Sequence, residues 1–276
     1  MKRVWTAAIL APLVLLLILK GPNWLLMVAA GVVAELALYE YLVLADASGA
    51  RLPRWLVLVC GGGLFVIVYW APGFLLPALS TFAMLIFGVC ALRSPLHRIL
   101  PDTSFSLFGL MYVSYPLVLA PLLTTQENGT ALLLFLLLVV WAGDITALYT
   151  GRTYGRRPMA PTLSPKKTWE GAAGSVLGSV LVGLGTMALG DLLYQHGIVL
   201  LLYPQPWWYW AGLAVLLNVA AQIGDLLESA IKRGAGAKDS GTLLPGHGGM
   251  LDRVDALLLA LPVLWYVLLF QQFYFM

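Results

Sequence analysis

Gly129-Thr-Ala-Leu-Leu-Leu-Phe-Leu-Leu-Leu-Val-Val-Trp-Ala-Gly-Asp144-Ile-Thr-Ala-Leu-Tyr-Thr150 is an apolar run broken by a single charge. A helix rising 1.5 Å per residue needs about 20 such residues to cross the hydrocarbon core of a bilayer. The stretch therefore reads as a membrane-spanning helix. Comparable runs lie at about 4–19, 23–45, 54–71, 74–92, 104–124, 129–150, 170–190, 207–231 and 251–273. Across 276 residues, 61% are hydrophobic, only 11% are charged and the mean hydropathy is +0.88, far outside the range of soluble domains. The expected fold is an all-α polytopic membrane protein of about nine transmembrane helices. With no fixed-period repeat, low-complexity tail or linker, residues 1–276 read as a single integral membrane domain.

Cytoplasmic loops retain Lys and Arg, so sorting these residues into alternate loops tests the orientation. With nine crossings and a cytoplasmic N-terminus, every one of the sixteen except Lys20 falls on one side. The C-terminus is then external. Met1-Lys2-Arg3 followed by Val4 to Leu19 lacks a prompt small-residue cleavage site and reads as an uncleaved first helix. The short run Gly197 to Tyr203, with Trp207 to Trp210 beyond Pro204 and Pro206, suits the headgroup zone. Two basic loops share the cytoplasmic side, Gly151 to Glu170 and Lys232 to Leu251, and an active site facing the cytoplasm belongs there. Cys60 and Cys90 lie in apolar runs and suggest neither a disulfide nor a metal site. His97 and His196 sit in loops and carry no expected chemistry.

Charge inside a span is costly, by about 2.5–3.5 kcal/mol on insertion scales, and asks for a partner or a water-filled cavity. Glu35, Glu40, Asp144, Asp225, Glu228, Asp252 and Asp255 all lie in or at the ends of spans. Glu35 and Glu40 are five residues apart and do not stack on one face; for both, structural and functional pairings are open. Asp225, Glu228 and Ser229, at i, i+3 and i+4, share one face of the eighth span. Asp252 and Asp255 make a second pair at the start of the ninth. Two acidic faces of this kind suit a hard cation such as Mg²⁺ at a nucleotide site. Equally, Asp252 and Asp255 can cap a helix N-terminus while Asp225 and Glu228 pair with Lys232 or Arg233. The loop between the faces is dense in Gly and Pro, which lets backbone amides approach a ligand closely, and cations flank it.

The segment Ser229-Ala-Ile-Lys232-Arg233-x4-Lys238-Asp239-Ser240-Gly241-x3-Pro245-Gly246-His247-Gly248-Gly249-x2-Asp252-Arg253-x-Asp255, residues 229–255, resembles the signature of the phosphatidate cytidylyltransferases. Gly224-Asp225-Leu-Leu-Glu228-Ser229 and Ser164-Pro165-Lys166-Lys167-Thr168-Trp169-Glu170-Gly171 are also similar to motifs of that family. Asp144, Ala147, Gly151 and Arg152 align with a further motif, in which Ile145 and Leu148 replace Thr and Tyr. The resemblance implies an enzyme of phospholipid synthesis in the inner (plasma) membrane, transferring the CMP moiety of CTP to phosphatidic acid and releasing pyrophosphate. It implies Asp225, Asp252, Lys238, Asp239 and His247 as catalytic residues. Mg²⁺ would be held by Asp225 and Asp252, with Asp255 and Asp144 next; a second, monovalent cation is left open. Lys166, Lys167, Lys232, Arg233, Ser240, Gly248, Gly249 and Arg253 would bind substrate. His247 either meets phosphate or only fixes its loop.

An ion-coupled secondary transporter is the alternative from another class, and a CTP-dependent lipid kinase the alternative among enzymes. The ionisable residues gather at one face and no topological repeat is evident, which speaks against transport. Partners other than CTP, phosphatidic acid and membrane lipids are limited to a homodimer; no nucleic acid is expected. Small residues along the seventh span, from Gly171 to Gly185, serve either that dimer or intrachain packing, the latter being favoured.

Overall fold

A backbone in hydrocarbon has no water to bond with and must satisfy its own N–H and C=O groups, so long apolar runs there close into helices. The structure, a computed structural model, describes residues 2–241 and 248–275, with side chains described from residue 10 to 273 within them. The helices are α1 (Lys2–Lys20), α2 (Asn23–Ala47), α3 (Arg54–Trp70), α4 (Leu75–Arg93), α5 (Ile99–Gly109), α6 (Tyr115–Leu123), α7 (Gly129–Tyr154), α8 (Trp169–Gln195), α9 (Trp207–Gly234) and α10 (Leu251–Phe275). Among the described residues, seven segments are long and apolar enough to cross a membrane: Asn23–Ala47, Pro72–Arg93, Leu96–Leu123, Gly129–Tyr154, Trp169–Gln195, Trp207–Gly234 and Leu251–Phe273. Leu10–Lys20 and Arg54–Trp70 are apolar but shorter. The protein is thus a helical, multi-span membrane protein.

Two departures from a purely helical reading have local causes. Between α5 and α6 the helix widens into a π turn, Leu110–Ser114, immediately before Pro116, whose missing amide leaves the ladder one donor short. The loop after α7 folds into an antiparallel hairpin, β1 (Pro158–Ala160) with β2 (Ser164–Thr168). Pro158, Pro161 and Pro165 exclude a helix there, and strand pairing satisfies the backbone instead.

The chain divides into two compact units, Met1–Leu122 with Ala230–Val254, and Leu123–Ser229 with Asp255–Met276. In the first, α2 packs on α3, α5 and the π turn, and α4 on α3 and α5. Leu38, Leu42, Leu64, Ile86 and Leu110 are fully buried there. Gly109 lies against Tyr41, whose hydroxyl donates to the Phe105 carbonyl at 3.0 Å.

In the second unit α7 packs along α8. Gly171, Gly174, Ser175, Gly178, Ser179 and Gly183 recur at helical spacing and are buried in one stripe. A β-carbon on Gly174 or Gly178 would come within 2.2 Å of Thr150 or 2.3 Å of Thr146. The stripe therefore serves close packing within the unit. At the far end of α7, Phe135, Tyr203 and Trp210 form an aromatic cluster, and the Tyr203 hydroxyl donates to the Ala131 carbonyl at 3.1 Å. Burial pushes the Tyr203 phenol pKa above its usual value. Trp207 and Trp208 stay exposed, as rings at the headgroup level do, whereas Trp210 is buried.

Candidate active site

In the second unit, α9 carries one polar face through otherwise apolar sequence: Asn218, Gln222, Asp225 and Ser229, at steps of four, three and four. Asn218 donates to the Ser175 and Ser179 hydroxyls, each at 2.8 Å, and Gln222 donates to the Asn218 side-chain oxygen at 2.6 Å. Ser179 closes the chain on the Val139 carbonyl at 2.7 Å. These bonds satisfy polar groups that would otherwise be stranded and fix the rotation of α9 against α7 and α8.

That rotation leads to a carboxylate cluster. Asp225 and Glu228 of α9 and Asp255 of α10 each present one oxygen, and the three oxygens lie within 4.8 Å of one another. Gly224 permits the approach: a β-carbon there would sit 2.7 Å from the Asp255 carbonyl oxygen. Glu228 is wholly buried, and Asp144 of α7, itself exposed, adds its charge to the field at Asp255. Lys167, on β2, reaches Asp225 at 2.5 Å. Thr168, the last residue of β2, caps α8 on the Gly171 amide at 3.2 Å, and Glu170 of α8 accepts the Arg156 and Arg157 amides just before β1 at 3.1 and 3.2 Å.

At an effective dielectric near 20, unit charges 4.8 Å apart repel by about 3.5 kcal/mol per pair, so three ionised carboxylates call for cationic charge. An all-oxygen, anionic donor set is what a hard divalent ion takes. An octahedral shell with bonds of about 2.1 Å spans about 4.2 Å between opposite ligands, within small side-chain adjustments of this spacing. The residues fit a divalent cation.

In the first unit a second network holds the signature loop. Glu40 of α2 is buried at 3% exposure; its Oε1 accepts the Met250 amide and its Oε2 the Leu251 amide, both at 2.9 Å, and Oε2 also accepts the Ser240 hydroxyl at 2.8 Å. A carboxylate at the start of α10 satisfies two amides that have no partner inside the helix. Asp252 is held as firmly. Its Oδ1 pairs with Lys232 at 2.5 Å, and its Oδ2 accepts the Gly249 and Ser240 amides at 2.8 and 3.0 Å and lies 2.9 Å from the Ser240 hydroxyl, whose one hydrogen is shared with Glu40. Gly248 has φ +80°, and a β-carbon on Gly249 would lie 2.1 Å from Glu40 Oε2. Both glycines are dictated by this packing.

The expected site residues fall in two networks, one described within each unit. Asp225 and Asp255 join the carboxylate cluster, with Asp144 acting on it. Asp252, expected beside Asp225 on a metal, here binds Lys232 and the loop. Asp225 pairs with Lys167. Ser240, Gly248 and Gly249 build the loop around Glu40 and Asp252. Lys166, Arg233, Lys238, Asp239 and Arg253 are exposed, and the Arg233 guanidinium donates to the Ala237 carbonyl at 3.0 Å. His247, with Pro245 and Gly246, lies outside the described residues. Two functional candidates were missed. Glu228 was recognised on the acidic face but not as a ligand, although its i+3 spacing from Asp225 signals one. Glu40 was not connected to the loop at all.

The profile of the cytidylyltransferase family matches residues 1–271. A phosphatidate cytidylyltransferase of Brucella abortus biovar 1 (strain 9-941) is 43% identical over 158 residues, 57% of this chain and 54% of that protein. The match thus spans about half the length of the Brucella relative. A phosphatidate cytidylyltransferase of Staphylococcus aureus (strain COL) is 31% identical over 263 residues, 93% of this chain and 95% of that one. An Escherichia coli (strain K12) protein, the uncharacterized protein YnbB, is 33% identical over 260 residues, 91% of this chain and 81% of its own.

Proposed function

We propose, since the chain belongs to the cytidylyltransferase family, that it transfers the CMP moiety of CTP to phosphatidic acid, giving CDP-diacylglycerol and pyrophosphate. The observation that carries the reading is the meeting of Asp225, Glu228 and Asp255 within 4.8 Å, with Lys167 on Asp225. Clustered carboxylates with a paired lysine suit nucleotidyl transfer, which needs charge placed around phosphate oxygens more than a protein nucleophile. In the reaction an oxygen of the lipid phosphate forms a bond to the α-phosphorus of CTP. The bond from that phosphorus to the bridging oxygen breaks, and its electrons leave with pyrophosphate.

The residues divide the work as follows. Asp225, Glu228 and Asp255, with Asp144 assisting, hold a divalent cation, for which Mg²⁺ is proposed. That ion supplies neutralising charge to the phosphate oxygens when bound. Lys167 offsets Asp225 and orients it. Lys166, Arg233, Lys238 and Arg253, exposed and cationic, are the groups for the triphosphate and the lipid phosphate. Asp252 and Glu40 keep Lys232 and the backbone amides of the signature loop in place. The lipid acceptor demands an integral membrane enzyme, and sorting of Lys and Arg supports nine crossings, a cytoplasmic N-terminus and a site facing cytoplasmic CTP in the inner membrane.

Purified protein in mixed micelles with CTP, phosphatidic acid and Mg²⁺ is expected to release one pyrophosphate for each CDP-diacylglycerol formed. Release of CDP instead would indicate a CTP-dependent lipid kinase. No turnover with any lipid acceptor, together with ion flux in proteoliposomes, would indicate a transporter.

A further inference from the structure

The first unit contains a charged pocket, lined by none of the residues given a role above. It has a volume of about 380 Å³ and is bounded by Asp46, Arg51, Pro53, Cys90, Arg93 and Ser94, with Leu52 and Val89 adding apolar wall. Its frame is Asp102, which is fully buried. Asp102 Oδ1 accepts the Arg51 amide at 3.0 Å and the Arg98 guanidinium at 3.2 Å, and Oδ2 accepts the Ser94 hydroxyl at 2.7 Å. One carboxylate thereby ties the segment after α2 to the segment after α4, and sets Arg51 and Arg93 on their places in the lining.

The charges in this region do not cancel. Asp46 pairs with Arg54, and Asp102 with Arg98, whose guanidinium also donates to the Gly49 carbonyl. Arg51 and Arg93 are exposed, and among the described residues no carboxylate pairs with either. Two guanidinium groups at the rim of one pocket match a phosphate group, which accepts their paired N–H donors. Beside the pocket Trp55, on the first turn of α3, is 55% exposed, and Leu92 and Leu96 are 89% and 90% exposed around the end of α4, an amphipathic and apolar surround.

We propose that this pocket binds a phosphate-bearing anion, with Arg51 and Arg93 as its ligands. The apolar wall of Leu52 and Val89 and the exposed Trp55, Leu92 and Leu96 near it favour an anionic lipid over free phosphate. The site does not depend on the activity proposed above, and its ligand residues belong to neither cluster described there.

The test uses the full chain in phosphatidylcholine nanodiscs, with phosphatidylglycerol as the lipid probe and inorganic phosphate as the soluble one. Phosphatidylglycerol is a phosphodiester and cannot serve as the phosphomonoester acceptor, so its binding is read apart from turnover. Binding of each probe is measured by native mass spectrometry for the wild type, Arg51→Gln, Arg93→Gln and the double variant. Each neutralisation is expected to weaken binding about fivefold, and the pair about 30-fold. Arg51→Lys/Arg93→Lys is expected to recover part of the loss, since charge returns without the fork. Loss confined to phosphatidylglycerol assigns a lipid headgroup, and loss of inorganic phosphate binding assigns the soluble anion; either supports the site. Wild-type binding of both probes by the double variant overturns it.

Discussion

Replacing Glu40 with Gln removes one charge and turns one acceptor into a donor at a buried position. The best placement of the amide keeps its oxygen on Leu251 N–H and the Ser240 hydroxyl, and leaves its NH₂ facing Met250 N–H at a site now 2.9 Å across. A hydrogen bond to a charged group contributes about 1.5–3 kcal/mol, and a buried donor left unsatisfied costs about 1–3 kcal/mol. Removing a buried charge returns part of this through desolvation, so the net loss is expected to be about 3 kcal/mol. Denaturant titration in detergent micelles, followed by tryptophan fluorescence, measures it. Hydrogen exchange localises it, since the Met250 and Leu251 amides should lose protection before the rest of α10. A Gln variant within about 1 kcal/mol of wild type, with those amides still protected, would refute the capping role.

Gly249→Ala places a β-carbon 2.1 Å from Glu40 Oε2 and 2.2 Å from Ser240 Oγ, and is expected to destabilise by about 1–3 kcal/mol in the same titration. Gly212→Ala, with nothing within 4 Å, is the contrast and should stabilise α9 by about 0.5–1 kcal/mol. Gly178→Ala meets Thr146 at 2.3 Å and should weaken α7–α8 packing by about 1–3 kcal/mol, read as a lowered unfolding midpoint. Glu228→Gln removes one of three clustered carboxylates. The Mg²⁺ concentration for half-maximal turnover should rise by about tenfold or more, as a lost metal-ligand interaction of 1.4 kcal/mol or greater requires; an unchanged Mg²⁺ dependence would place the ion elsewhere.

The sequence made the helices legible because hydrocarbon imposes a length, and the α8 stripe because small residues at helical spacing have few other uses. Asp225 and Glu228 stood out as a pair for the same reason: i, i+3 spacing decides a face without any tertiary knowledge. What faces that pair is a different matter. Asp252 and Asp255 are equivalent in sequence, both acidic and one turn apart, yet Asp255 joins the cluster while Asp252 binds Lys232 and Ser240. Only the packing of α9 and α10 distinguishes them. Glu40 was illegible because its partners, Met250 and Leu251, lie 210 and 211 residues away. The hairpin at 158–168 was hidden by its prolines, which exclude a helix but do not announce a strand.

Position-specific labelling of CTP tests the central claim most directly. In parallel reactions with phosphatidic acid and Mg²⁺, CTP labelled at the α-phosphorus should carry its label into lipid. CTP labelled at the γ-phosphorus should yield label only in pyrophosphate. Label reaching lipid from the γ-position, or from neither position, would contradict cytidylyl transfer.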